Sequence, residues 1–119
     1  MNKILLYHNP KWGKSRESVK ILEQFNINYQ MIEYLKHSLS VEELRVISKK
    51  LNLKPKNFIR VKDPLFKTLG MDKYLDDDKK MFELISDNIS IMERPLVLKG
   101  DGGIIARPPK KIIEFLDLG

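Results

Sequence analysis

Cysteine is missing from this chain altogether. Its absence excludes disulfides, thiolate metal ligands and any thiol nucleophile supplied by the chain itself. Imidazole is scarce as well: His8 and His37 are the two histidines, and no metal site is expected from them. No apolar run approaches the ~20 residues of a membrane-spanning helix. The stretch from Met1 to Tyr7 turns polar too soon to read as a signal peptide and reads as a strand instead. A cytoplasmic location with no membrane partner is therefore expected. Internal repeats, low-complexity tracts and linker-like segments are also missing, so the chain is expected to form a single domain spanning 1–119.

What is present suits a globular protein. Hydrophobic residues make up 42% and charged residues 32%, a balance that argues against disorder. The formal net charge of +6 favours anionic partners. Its basic residues are spread along the whole chain rather than gathered in a stripe with aromatics between them. That spacing points to a solvated basic surface and away from nucleic acid.

Ile4 to Tyr7 is a short apolar run broken at once by Asn9, Pro10 and Gly13, the pattern of a buried strand entering a loop. Val19, Ile21, Leu22 and Phe25 follow at helical spacing, with Arg16, Glu17, Lys20 and Glu23 on the other side. Asn26 and Asn28 end that helix, and Tyr29 to Tyr34 alternates as a second strand. Strand, helix and strand at this spacing predict a βαβ unit with parallel strands. The middle of the chain, about 38–90, reads as helical. Ser40 and Glu43 form a capping box, Asp63-Pro64 opens a short turn that runs to Gly70, and Asp76 to Asp78 place acid at the start of a further helix. Leu96 to Leu98 and Ile104 to Ala106 predict an antiparallel hairpin, and Pro108-Pro109 starts a last amphipathic helix.

The loop His8-Asn9-Pro10-Lys11-Trp12-Gly13-Lys14-Ser15-Arg16 joins a strand end to a helix start, where unpaired backbone N–H groups and the helix dipole attract anions. Two readings stand side by side: an anion site with Lys14, Ser15 and Arg16 as donors, or a plain turn with a capping serine and a solvated basic edge. Three arginines adjoin structure breakers: Arg60 ahead of Asp63-Pro64, Arg94 before Pro95 and Arg107 before Pro108. Arginines at element ends can converge to clamp a tetrahedral oxyanion, or each can pair singly on the surface. The X-Pro bond at Arg94-Pro95 can be cis or trans.

This loop resembles the active-site motif of the glutaredoxin-dependent arsenate reductase (ArsC) family, His-Asn-Pro-x-Cys-Gly-x-Ser-Arg, keeping His8, Asn9, Pro10, Gly13, Ser15 and Arg16 in register. The resemblance continues through Tyr34-Leu35, Glu42-Glu43-Leu44, Arg60, Arg94-Pro95 and Arg107-Pro108. It implies an α/β, thioredoxin-like four-stranded mixed sheet with an inserted helical subdomain. It also implies an oxyanion site on Arg60, Arg94 and Arg107, and a cis-proline at Pro95. The family uses glutathione and glutaredoxin as external reductants, so no resident cofactor is expected. The implied partners are a small oxyanion (arsenate, phosphate or sulfate) and either glutaredoxin or another protein.

Trp12 stands where the family has its nucleophilic cysteine. Indole offers an N–H donor and an apolar face but no lone pair for attack on arsenic, so no catalytic residue is assigned. Its ring either fills the anion site or leaves it open. Three readings follow: a catalytically silent relative with an oxyanion site, an active reductase whose native residue 12 is cysteine or selenocysteine, and a relative of RNA polymerase-binding transcription regulators. The last lacks the CxxC switch of those regulators.

Overall fold

The computed structural model describes residues 3–118. Its sheet has the order β2-β1-β3-β4, with β1 at Ile4–Tyr7, β2 at Gln30–Ile32, β3 at Leu96–Lys99 and β4 at Gly102–Ile105. β1 runs parallel to β2, placing Leu6 opposite Met31. β3 is antiparallel to β1, with Tyr7 opposite Leu96, and β4 is antiparallel to β3. The expected parallel pair and the expected hairpin therefore belong to one mixed sheet.

Both faces of the sheet are covered, which is why its inner strands read as unbroken apolar runs. Alternate residues enter different cores. Ile4, Leu6 and Val97 pack with Leu22, Ile112 and Leu116, residues carried by or adjoining α1 (Gly13–Gln24) and α5 (Lys111–Phe115). Tyr7, Leu96 and Leu98 face the other way, onto a larger core with Leu44, Ile47, Phe58, Met81 and Ile85. This second core belongs to the segment between β2 and β3, which holds α2 (Val41–Leu51), α3 (Pro64–Thr68), α4 (Asp78–Asp87) and three short 3-10 turns.

Local chemistry sets the helix starts in that segment. Ser40 and Glu43 exchange side-chain and backbone bonds of 3.1 Å as a capping box. Asp63 caps α3 and Asp77 caps α4 through their carboxylates. Three helices end alike: Asn26, Asn52 and Asp117 take the left-handed conformation, with φ of 55°, 55° and 56°. The following amides of Ile27, Leu53 and Leu118 then reach back to Leu22, Ser48 and Ile113, the six-to-one bond of a Schellman motif.

Two elements are shorter than the sequence suggests. β2 stops at Ile32 because the chain then turns, with the Lys36 amide bonding to the Glu33 carbonyl at 2.9 Å. Tyr34 is thereby carried off the strand into the larger core, where it is fully buried. The last helix begins at Lys111 rather than at the proline pair, after a turn in which the Lys111 amide bonds to the Pro108 carbonyl.

Candidate anion-binding site

The loop leaving β1 is held by its own backbone. Asn9 accepts from the Lys11 amide at 3.1 Å through Oδ1, a local Asx turn, and its carbonyl receives the Trp12 amide at 3.1 Å. Arg16 folds back to donate to the Pro10 carbonyl at 3.1 Å. Ser15 does not cap the helix as the plain-turn reading expected. Its hydroxyl accepts from the Asn9 amide across the loop at 3.3 Å, and the cap position falls to Trp12, whose side chain makes no capping bond. The first turn of α1 carries no acidic residue, whereas α2 has Glu42 and Glu43 and α4 has Asp78 there. The positive end of α1 is thus left uncompensated by side chains. Gly13 leaves room beside it: a Cβ there would meet only Arg16 Nη2, at 3.8 Å.

His8 sits behind this loop, buried, with its amide on the Ile32 carbonyl at 3.0 Å and its Nδ1 unpartnered. Burial pushes its pKa below the ordinary value. Arg16 adds to that shift and Glu33 opposes it. The side chain is a neutral imidazole at neutral pH.

Pairing between distant segments gathers the arginines. An antiparallel bridge joins Ile59 to Met92, with the Arg60 amide on the Ile91 carbonyl at 2.8 Å and the Glu93 amide on the Phe58 carbonyl at 2.9 Å. Arg60 is thus carried up to Glu93 and Arg94. The β3–β4 hairpin does the same for Arg107, through the Ala106 amide on the Pro95 carbonyl at 2.9 Å. The Arg94–Pro95 bond is cis, and so is Arg107–Pro108, which nothing in the sequence singled out.

Two of the three guanidiniums lie against the indole. Arg94 Cζ is 4.0 Å and Arg60 Cζ 5.1 Å from the centroid of the Trp12 ring, within cation–π range. Trp12 therefore takes up ground between the arginines while staying 44% exposed. Arg60 also holds Asp63 at 2.8 Å. Arg94 is buried, donates to the Ser90 carbonyl at 3.3 Å and leaves Nε unpartnered. Arg107 is set apart from the ring. It shares with Arg60 a cleft of about 650 Å³ that also contains Asp63, Glu93 and Lys111, and Glu93 lies 3.8 Å from its Nη1. Arg60 is the residue common to both groupings. A further cleft of about 690 Å³ lies at the other end of β1 against Lys3, Asn26, Tyr29 and Lys99.

Sequence reasoning missed three neighbours. Tyr34 reads in the sequence only as the end of the second strand and as part of a shared motif, yet its hydroxyl is buried beside Arg94. Burial raises its pKa to about 12, against the opposing charge of Arg94. Arg94 is in turn pulled down by burial, with Tyr34 opposing and Arg60 adding; as a guanidinium it stays charged. Glu93 and Lys111 drew no notice at all. The one available signal was an acid placed directly before an arginine that precedes proline. Together these groups can hold an anion and donate several hydrogen bonds to it. Neither the indole of Trp12 nor the imidazole of the buried His8 is a thiol.

Comparisons with known proteins bear on the family and the fold. The model of the ArsC family matches residues 7–115. The chain is 38% identical over 114 residues to an arsenate reductase of Haemophilus influenzae, covering 95% of this chain and 98% of that protein. An arsenate reductase of Neisseria meningitidis serogroup A is 34% identical over 117 residues, covering 98% of this chain and all of the relative. The solved structure of the arsenate reductase from Vibrio cholerae superposes with a TM-score of 0.90 at 34% identity, covering 95% of this chain and 97% of that one. The four-stranded mixed sheet and its helices form the same thioredoxin-like fold.

Proposed function

The chain belongs to the ArsC family, and on that premise we propose that it is a member without the reductase reaction, keeping an oxyanion site built from Arg60, Arg94 and Arg107. The observation that carries this reading is the indole of Trp12 at the nucleophile position, with two of the three arginines lying on it. Arsenate reduction in the family proceeds through thiolate attack on arsenic. Without that covalent step, binding energy alone lowers no barrier to reduction. What remains is recognition of the anion by guanidinium groups beside an uncompensated helix N-terminus.

Purified protein whose mass confirms Trp12, supplied with arsenate, glutathione and glutaredoxin, is expected to form arsenite no faster than the mixture without it. Turnover above that background would overturn the reading. The uncapped start of α1 favours one alternative, a reductase whose native residue 12 is cysteine or selenocysteine, because such an end would stabilise a thiolate or selenolate. The codon at position 12 of the gene decides between them.

A further inference from the structure

The arginines of the proposed site can only donate, since a guanidinium has N–H groups and no acceptor. A purely donating pocket suits sulfate, whose oxygens all present lone pairs. Arsenate and phosphate differ, because at neutral pH each keeps a proton on at least one oxygen and needs an acceptor for it. The cleft holds two carboxylates, and one is committed: Asp63 places Oδ2 on Arg60 at 2.8 Å and Oδ1 on the Leu65 amide at 2.9 Å. Glu93 is not so tied. Its Oε2 lies 3.8 Å from Arg107 Nη1, beyond hydrogen-bond length, and among the described residues no donor hydrogen-bonds its carboxylate. It lines the same cleft as Arg60 and Arg107, its backbone fixed by the Glu93 amide on the Phe58 carbonyl.

We infer that Glu93 is the specificity-determining residue of this site, accepting the protonated oxygen of hydrogenarsenate or hydrogenphosphate and turning sulfate away. The inference rests on the oxyanion reading above. Against sulfate, the carboxylate would set lone pairs against lone pairs and lose its partner, a mismatch that polar sites use to reject analogues.

Calorimetric titration of the whole chain with phosphate, arsenate and sulfate at equal ionic strength and neutral pH tests it, with Trp12 present and in Trp12→Gly. Phosphate and arsenate are expected to bind at least about tenfold more tightly than sulfate. Glu93→Gln should bring the three within about threefold, mainly by strengthening sulfate, because an amide can donate as well as accept. Equal or tighter binding of sulfate by the protein with Glu93, or an unchanged ratio in Glu93→Gln, would overturn the inference and leave the oxyanion site standing. No heat from any of the anions, with the indole present or removed, would overturn both.

Discussion

Trp12 occupies the cap position of α1, where the unpaired amides of the first turn would face any group at the loop tip. A thiol placed there by Trp12→Cys is expected to ionise below the ~8.5 of an unperturbed cysteine, since helix N-termini and nearby arginines both stabilise a thiolate. The pH dependence of alkylation measures this. A value at or above the unperturbed one would mean that the loop no longer builds an anion-stabilising end. His8 supplies a second residue-scale expectation, with a definite sign. Its folded pKa is depressed, chiefly by burial, so the unfolded chain binds the proton more readily. The contribution of this group to stability is complete well above the unfolded value of about 6.5 and is lost as pH falls through the folded value. Denaturant midpoints should therefore fall on acidification more steeply for the protein with His8 than for His8→Gln, and parallel curves would refute it.

Helix ends show how far local rules carry. The capping box at Ser40 and the acid at Asp77 are written in adjacent residues, so the start of α2 and that of α4 are legible in the sequence. The three left-handed C-terminal residues are partly so. Asparagine is a common substitute for glycine there, but Asp117 places a negative charge at the negative end of α5. Asp117→Gly is expected to stabilise the fold by about 0.5–1 kcal/mol, by relieving the positive φ and the dipole clash together. Thermal or chemical unfolding would read the gain, and a loss would show that the aspartate has another role. The early end of β2 was not legible, because Tyr34 continues the strand's alternation perfectly well. Only the larger core decides that its ring is buried there. Glu93 and Lys111 were hidden for a related reason: the bridge between Ile59 and Met92 and the β3–β4 hairpin bring them to the site from separate parts of the chain.

At the scale of the whole molecule, the order of segments was enough to read a mixed sheet, because a βαβ unit and a terminal hairpin leave few ways to join. The division of its core was less accessible. Apolar runs in β1 and β3 announce burial on both faces, yet not which helices cover which face. The structure gathers Arg60 and Arg94 on the ring of the chain's single tryptophan. Intrinsic fluorescence excited on the indole therefore originates at the candidate site and nowhere else. Its environment there is unusual, a half-open ring with guanidiniums 4.0 and 5.1 Å from its centre. An anion that draws Arg94 or Arg60 off the ring should alter the emission, and denaturant should alter it again as the arginines disperse. The protein thus carries its own optical gauge, able to report occupancy and unfolding from one unlabelled chromophore.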